Sequence, residues 1–333
     1  MDPVSHAVIG RLMAAAAPDG GSPRAGAGFA AALGALSPDV DFVLMPVGWD
    51  IYLRAHEIGT HTFAGALITG LASAGLVRLA VRRARYATLA VAAVGGAFSH
   101  LAADVASGAR LRPAWPLVDT VVSAPLVAMG DPWPIAILVA GAVALWRMRL
   151  RRLAVARAAL LALVAFLTIK AALLTVAMNR LRATGAPATA TSRVVEAQWG
   201  SLTAWNVFER TPATVRHRTI DARGGTPTVV LSVSLQSDSA LVAASRSLDT
   251  VRNFLDVHDL GFAVQRLVEG RRRAVLWSDI RFCRSQDLGH EAIDCALWFG
   301  GIFAADGRPI SQQVRVGAWV QTRPPPATRE PVR

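Results

Sequence analysis

Charged residues are scarce in this chain of 333 residues. Only 17% are Asp, Glu, Lys or Arg, while 53% are hydrophobic. Soluble globular proteins carry about a quarter charged residues. The low share of charge therefore argues against an ordinary soluble enzyme and favours insertion into a membrane. The chain is also long enough for two domains of ordinary size.

Lysine is nearly absent, since Lys170 is the only one, and almost all of the formal net charge of +12 comes from arginine. A basic balance of this size is often a sign of nucleic-acid binding. Here neither a helix-turn-helix pattern nor interleaved stacking aromatics accompany it. We therefore expect no nucleic-acid partner. Most of the arginines in the first half instead lie in short loops beside apolar segments.

Several catalytic motifs are missing as well. The chain has two cysteines, Cys283 and Cys295, too few for a cysteine-rich structural zinc site. A G-x-S-x-G elbow, a P-loop and a dinucleotide glycine fingerprint do not occur, which disfavours serine hydrolases and nucleotide-driven enzymes. A basic segment is lacking ahead of the first apolar stretch, so we expect no cleavable signal peptide.

Long apolar segments fill the first half of the chain. Several approach the roughly 20 residues that cross a bilayer as a helix. The segments are 27–45, 62–81, 87–106, 132–146 and 154–178. A shorter stretch, 4–17, precedes a run rich in proline and glycine, which predicts a helical hairpin with 27–37. We predict an α-helical membrane domain of about five or six helices over residues 1–180.

The composition changes from about residue 185. Polar and β-branched runs punctuated by glycine and aspartate predict antiparallel strands, and 240–260 looks helical. We predict a small α+β or mostly β extracytoplasmic domain over 185–322, followed by a disordered tail, 323–333. Cys283 and Cys295 lie in this domain. They form either a disulfide, as an oxidising compartment allows, or a pair of free buried thiols.

Arginine-rich connections predict how the helices are oriented. The loop after 62–81 and the loop between 132–146 and 154–178 hold most of the arginines, whereas the opposite connections are balanced by acidic residues. The positive-inside rule places the arginine-rich loops in the cytoplasm. Everything after about residue 180 is then predicted to lie outside the cytoplasm. His61, His100 and Asp104 fall at the outer face.

His100 and Asp104 have the most interpretable spacing. Residues four apart lie one above the other on a helix, so both side chains can reach one ion. The alternative is a solvated helix end with a capping carboxylate. Ionisable residues inside membrane segments persist mostly where they bind ions, relay protons or perform chemistry.

A second candidate is the segment Pro38-Asp39-Val40-Asp41, which follows an apolar helix. Proline is expected to stop that helix, and two aspartates in an extended turn would point in different directions. One would bridge two metals while the other binds one of them or orients a histidine. A single aspartate would be enough for the alternative, an N-cap.

The run from His56 to His61 resembles the zinc-protease motif H-E-x-x-H but has the wrong spacing. Five residues correspond to about 500° of helix rotation, so the two rings would diverge. We therefore expect a loop leading into a helix near Thr60, with His61 as a ligand and His56 or Glu57 lining the entrance. His6 reaches the same face if the predicted hairpin forms. His217, His258 and His290 are interpreted as surface residues.

Together these residues are typical of a site for one to three divalent ions, zinc first and manganese as the alternative. The predicted metal ligands are His6, Asp39, Asp41, His56, His61, His100 and Asp104. Such a site lowers the pKa of a bound water and stabilises the attacking and leaving oxygens of a phosphoester. We assign proton handling to Glu57 and Asp41.

The order of these motifs resembles a known family. Ser-His near the N-terminus, then L-S-P-D-V-D, H-x3-T-H-T and S-H-x3-D, is similar to the membrane-bound metal-dependent hydrolases of the inner-membrane YdjM/YbcI type. The resemblance covers about residues 1–180 and implies a bacterial inner membrane as the location. The family pattern H-R-G-x-T-H-S departs here at Glu57, Ile58 and Thr62. Trp277 to Phe282 resembles the ending of longer members, and the H-x3-D pair is distantly like zinc-dependent phospholipase C.

The hypothesis from sequence is thus a membrane-bound metal-dependent hydrolase at the outer face. Its partners would be the lipid bilayer and a small-molecule or lipid substrate. A metal-handling transporter is the first alternative, although few polar residues continue across the bilayer beneath the clusters. A structural or assembly protein stapled by metal is the second, and an intramembrane metalloprotease is the third.

Overall fold

The protein is described by a computed structural model covering residues 1–18, 25–183, 190–235, 239–268, 272–285 and 293–326. Its first half is helical, and its second half consists of β-sheets with two short helices, which confirms the predicted fold class. Asp2 caps the first helix, Thr62 caps the fourth and Asp131 the sixth. Each side chain accepts a hydrogen bond from a backbone N–H that the helix leaves unpaired. The helices are α1 Pro3–Ala16, α2 Ala27–Leu36, α3 Trp49–Ile58, α4 Phe63–Ala80, α5 Tyr86–Ala106, α6 Pro132–Arg147 and α7 Arg152–Ala183, with a 3₁₀ helix at Ser37–Leu44.

Two local predictions were wrong. The aspartate pair lies on the 3₁₀ helix and not in an extended turn, because Pro38 occupies its first turn, where a missing N–H costs nothing. His56 and Glu57 lie in the last turn of α3 and not in a loop. The chain leaves the helix only at Gly59, and Thr62 then caps α4.

Small residues hold α1, α2, α4 and α5 together. A Cβ atom added at Gly34 would lie 2.0 Å from the carbonyl oxygen of Ala93, and one at Gly96 would lie 2.1 Å from that of Ala31. The backbones of α2 and α5 are therefore in direct contact, as is common between membrane helices. At Gly10 an added Cβ would lie 2.5 Å from the Ala31 oxygen, so α1 folds back on α2 as the predicted hairpin requires.

Within the described residues, four helical segments are long and apolar enough to cross a membrane: Ala27–Leu44, Phe63–Ala80, Tyr86–Ala106 and Arg152–Ala183. The first joins α2 to the 3₁₀ helix. The remaining apolar helix, α6, is shorter. These segments match the predicted spans to within a few residues, except that α7 extends beyond 154–178 at both ends.

The second half contains two antiparallel sheets and a short hairpin, with strand orders β1-β2-β3-β4, β11-β10-β9-β6-β5 and β7-β8. A core that includes Phe208, Phe262 and Trp298 joins the two larger sheets. Helices α8 and α9 pack on the five-stranded sheet through Val242 and Phe254. The elements are β1 Ser192–Ala197, β2 Ala204–Arg210, β3 Thr214–Asp221, β4 Thr228–Ser234, α8 Ala240–Ser245, α9 Asp249–Leu255, β5 Gly261–Val268, β6 Arg272–Asp279, β7 Cys283–Ser285, β8 Ile293–Cys295, β9 Leu297–Phe303, β10 Pro309–Val316 and β11 Trp319–Arg323.

The two cysteines form a disulfide, which resolves the alternative left open by the sequence. Cys283 in β7 is paired with Cys295 in β8, and the bond closes this hairpin. At the C-terminus, β11 includes Arg323, the first residue of the predicted tail, while 327–333 lie outside the described residues.

The β part rests on the helical part at several points. The last turns of α7 pack through Ala177 and Leu181 against a cluster containing Trp205 of β2. Arg110, in the loop after α5, pairs with Asp259. Asp50 of α3 pairs with Arg323 of β11. The two halves are thus in contact on the side where α7 ends.

Candidate metal centre

Histidine and aspartate side chains from four helices and one turn meet at one end of the helical part. The structure brings together residues that lie as far apart in the chain as His6 and Asp104, and His61 and His100 are completely buried among them. The contributors are His6 of α1, Asp39 and Asp41 of the 3₁₀ helix, His56 of α3, His61 in the turn before α4, and His100 and Asp104 of α5.

The hydrogen bonds of His100 fix which nitrogen is available. Its Nδ1 lies 2.7 Å from the carbonyl oxygen of Ala35. A carbonyl only accepts, so Nδ1 carries the proton and donates. In the neutral ring Nε2 then has an unshared electron pair, and it points into the cluster.

His61 is held in the same way by a short chain of hydrogen bonds. The hydroxyl of Thr60 donates to Asp41 Oδ2 at 2.9 Å. Its oxygen is then free to accept from Nδ1 of His61, 3.1 Å away. His61 Nε2 therefore presents an unshared pair as well, and it lies 3.1 Å from His100 Nε2. Two such pairs repel at this distance unless a cation lies between them.

Two carboxylates complete the set. Asp39 Oδ1 lies 3.6 Å from Nε2 of both His61 and His100. Asp104 Oδ2 lies 3.1 Å from His100 Nε2 and 3.6 Å from His61 Nε2. A tetrahedral zinc ion with bonds of about 2.0–2.1 Å has its ligand atoms about 3.3–3.4 Å apart. A shared proton would satisfy only two of these atoms, whereas a divalent ion held by Asp39, His61 and His100 would satisfy three at once.

Asp104 also faces a second group with its other oxygen. Oδ1 lies 3.1 Å from Nε2 of His6 and accepts a hydrogen bond from the amino group of Met1. The His6 ring stacks on that of His100, with centroids 3.8 Å apart. Among the described residues, neither ring nitrogen of this buried histidine makes a hydrogen bond. His6 and Asp104, together with His100, are thus the residues that would hold a second ion.

Asp41 and His56 lie behind His61, on its Nδ1 side. Asp41 Oδ2 is 2.9 Å from Nδ1 of His56 and accepts from Thr60, while it lies 3.7 Å from Nδ1 of His61. Asp41, His56 and His61 thus form a further group that could hold a metal ion, on the other side of the His61 ring from Asp39 and His100. Asp41 Oδ1 is buried with no hydrogen bond from a described residue.

The wall beside His56 is aromatic. Tyr52 lies one helical turn before it, with ring centroids 5.2 Å apart, and Phe42 stacks on Tyr52 at 5.3 Å. Burial, with the nearby charges of Asp41 and Asp39, raises the pKa of Tyr52 above its usual value, so its phenol stays protonated. His56 and Asp39 are the partly exposed members of the cluster, at 25% and 17% of the side chain. They mark its entrance.

The remaining predictions have mixed outcomes. The side chain of Glu57 lies outside the described residues, as does His290. His258 is not a surface residue, since it is 5% exposed and stacks on Phe254. Sequence reasoning missed Thr60 and the Ala35 carbonyl. Thr60 stands inside the H-x3-T-H motif and could have been found there, whereas a backbone carbonyl leaves no signal in a sequence.

Comparison with known proteins supports the membrane assignment. The sequence profile of the YdjM inner membrane protein family matches residues 1–177, just over half of the chain. The chain belongs to the YdjM inner membrane protein family. The YdjM match includes every predicted ligand and ends within α7, so the β part lies outside it. None of the curated proteins and none of the solved structures matches this chain, and the likeness to phospholipase C gains no support.

Proposed function

We propose that this YdjM family member is a metal-dependent hydrolase with its centre at the outer face of the inner membrane. One observation carries the proposal: Nε2 of His61 and Nε2 of His100 face each other at 3.1 Å, and a carboxylate oxygen of Asp39 and one of Asp104 each lie within 3.6 Å of both nitrogens. Two nitrogen and two oxygen donors suit zinc, and manganese is the alternative.

The chemistry follows from the donors and their exposure. A divalent ion held there would lower the pKa of a water molecule and polarise the oxygen of a phosphoester or another ester. His61, His100 and Asp104 are buried and would form the fixed part of the site. Asp39 lies nearest to solvent and is the ligand beside which a substrate would enter. Asp41, through Thr60, keeps the His61 ring in its binding orientation.

The same packing argues against a transporter. Directly beneath the centre, α2 and α5 touch through Gly34 and Gly96, where even one added carbon would meet backbone at 2.0–2.1 Å. In the described part of these two helices, this contact leaves no passage for an ion between them. A structural role for the metal remains the competing function. It predicts bound metal without turnover.

We infer from two observations that the β part is extracytoplasmic. The arginine-rich loops lie at the opposite end of the helices from the cluster, and the Cys283–Cys295 disulfide suits an oxidising compartment. Reactivity of these cysteines in intact cells tests the placement. A thiol reagent should label them only after reduction with an impermeant reductant; labelling without reduction would contradict it.

The function is tested by measuring metal content and turnover together. Purified protein in detergent is expected to hold stoichiometric zinc or manganese and to hydrolyse bis(p-nitrophenyl) phosphate or an ester-containing lipid. His100→Ala/Asp104→Ala should lose both properties, whereas His217→Ala, a histidine substitution in the β part, should keep them. Folded wild-type protein that holds no metal after reconstitution would overturn the proposal. Bound metal without hydrolysis would favour the structural role.

A further inference from the structure

Helix α7 is longer than a membrane requires. Its 32 residues measure about 48 Å at 1.5 Å per residue, whereas the hydrocarbon core of a bilayer is about 30 Å thick. Part of α7 must therefore lie outside the hydrocarbon. The contacts of α7 show where the helix leaves the hydrocarbon.

Lys170 marks one level on α7. It lies 18 residues after Arg152, about 27 Å along the helix. Its side chain is buried, and Nζ donates to the carbonyl oxygens of Ser201 and Leu202 at 2.9 and 3.1 Å. Nζ also lies 4.5 Å from the centre of the Trp205 ring. The turn between β1 and β2 thus reaches down α7 as far as Lys170.

Two tryptophans lock this turn to the start of α6. The indole N–H of Trp199 donates to the Gly130 carbonyl at 2.9 Å, and that of Trp133 donates to the Gly200 carbonyl at 3.0 Å. The indole N–H of each tryptophan thus has a backbone carbonyl as its acceptor, while much of the ring is exposed. Together with two neighbouring apolar side chains they form a surface that we call the indole patch: Met129, Trp133, Trp199 and Leu202, exposed by 74, 45, 67 and 42%.

The two parts of α7 on either side of Lys170 differ in the side chains that they expose. Before it, the exposed large apolar side chains are Leu153, Leu161, Val164 and Ile169; after it, Val176 is the only one among the described residues. The later part instead carries Asn179, Arg180 and Arg182. Its buried side packs against the β part through Ala177 and Leu181. This pattern is expected if lipid surrounds only the first part.

We propose that the indole patch lies in the lipid headgroup layer, so that the turn between β1 and β2 anchors the β part to the bilayer. The partner is the membrane surface itself. Tryptophan is enriched at this depth because its ring is apolar and its N–H is polar. On this placement, α7 crosses the membrane between Arg152 and about Lys170, and the rest of the helix is a rigid stalk for the β part.

The position of the indole patch in the headgroup layer also sets the depth of the candidate metal centre. The backbone N–H groups of Leu126 and Val127 both donate to the carbonyl of Ala106, at 2.9 and 3.1 Å, so the end of α5 lies beside the loop that carries Met129. His100 is six residues earlier, about 9 Å deeper along the helix. The centre then lies beneath the headgroups and not above the membrane surface.

Single cysteines test the placement without any need for enzymatic activity. Both native cysteines are in the disulfide, so Leu202→Cys is labelled selectively with an environment-sensitive fluorophore. Val229→Cys, in β4, serves as the control. The β3–β4 turn that precedes it comes close to Arg180, about 15 Å along α7 from Lys170. Met129→Cys repeats the measurement from the helical side of the patch.

Labelled protein is reconstituted into phosphatidylcholine–phosphatidylglycerol vesicles that contain nitroxide lipids. We expect the probes at positions 202 and 129 to lose most of their fluorescence when the nitroxide is near the headgroup and less when it is at the end of the acyl chain. The probe at position 229 should keep its fluorescence. Quenching at positions 202 and 129 no stronger than at 229 would overturn the proposal. Because metal is not involved, this result is independent of the proposed hydrolase function.

Discussion

Asp50 of α3 and Arg323 of β11 are 273 residues apart in the sequence and form an ion pair with two hydrogen bonds. Arg323 Nη2 donates to Oδ1 at 2.8 Å and Nη1 donates to Oδ2 at 3.2 Å. Asp50 is completely buried, and Asn253 of α9 donates to the same carboxylate. Since α3 also carries Tyr52 and His56, the β part fixes one wall of the candidate metal centre.

Removing this arginine should destabilise the contact between the two halves. Arg323→Ala leaves the buried charge of Asp50 with the hydrogen bond from Asn253, at a cost of about 3–5 kcal/mol. We expect a lower midpoint of thermal unfolding in detergent. Arg308→Ala provides a matched control, because that arginine pairs with Asp306 on the exposed surface, and its loss should change nothing measurable.

The same pair can be disturbed from its other side. A Cβ added at Gly48 would lie 1.7 Å from Nη2 of Arg323, so Gly48→Ala should displace the guanidinium. In the Arg323→Ala background the guanidinium is gone, and the close contact that remains is the one with Asp50 Oδ1 at 2.8 Å. We therefore expect the Gly48→Ala effect on the unfolding midpoint to shrink sharply in the double variant. Equal effects in both backgrounds would show that the pair does not couple the two halves.

The hydroxyl of Thr60 is expected to tune metal affinity without being a ligand. Thr60→Val keeps the shape of the side chain but removes the link between Asp41 and His61 Nδ1. Loss of such an orienting contact typically weakens metal binding about 10–100-fold. Thr60→Ser should retain nearly full affinity because it keeps the hydroxyl. Titration against a competing zinc chelator measures the zinc affinity of the wild type and both variants. Similar affinities for Thr60→Val and the wild type would disprove the orienting role.

Adjacent glycines of α5 should respond differently to alanine. At Gly96 the added Cβ meets the Ala31 carbonyl at 2.1 Å, so Gly96→Ala forces α2 and α5 apart. At Gly95 an added Cβ would meet no described atom within 4 Å apart from the backbone of its own helix, and alanine is the better helix former. We expect Gly96→Ala to lower both the unfolding midpoint and the bound metal, and Gly95→Ala to preserve them. Circular dichroism and metal analysis of the two purified variants check this.

His258 should make the β part sensitive to mild acid. Burial, together with the positive charges of Arg281 and Arg110, lowers its pKa from 6.5 to about 4, although Asp279 opposes this. The fold therefore favours the neutral ring. Its contribution to stability is complete above pH 6.5 and is lost as the pH falls from 6.5 towards 4, by up to about 3 kcal/mol.

A variant without this ionisable group checks the assignment. His258→Gln should have a flatter dependence of unfolding midpoint on pH between 6.5 and 4 than the wild type. The comparison relies on the slope of the unfolding midpoint against pH. The midpoint itself is not compared, because the substitution also removes the ring that stacks on Phe254 and lowers stability at every pH. Parallel slopes for the two proteins would assign the acid sensitivity to other groups.

Much of the helical part was predictable because lipid imposes a simple rule on sequence. Spans such as 62–81 and 87–106 agree closely with α4 and α5, since an apolar run of membrane length has few alternatives to a helix. Local geometry was less predictable. Asp39 and Asp41 were expected in an extended turn, yet on the 3₁₀ helix they approach opposite nitrogens of one imidazole, Nε2 and Nδ1 of His61.

The sequence by itself determined the helical membrane part, the β-rich part and the short list of histidines and aspartates, because each is written in local composition and spacing. Only the tertiary structure decided which ring nitrogens of these histidines are occupied by hydrogen bonds and which face each other. Ala35 and Thr60 occupy one nitrogen of His100 and of His61, and this leaves the other two nitrogens to face each other. Such a selection depends on contacts between distant segments and on a backbone carbonyl, which every residue has and no sequence pattern reveals.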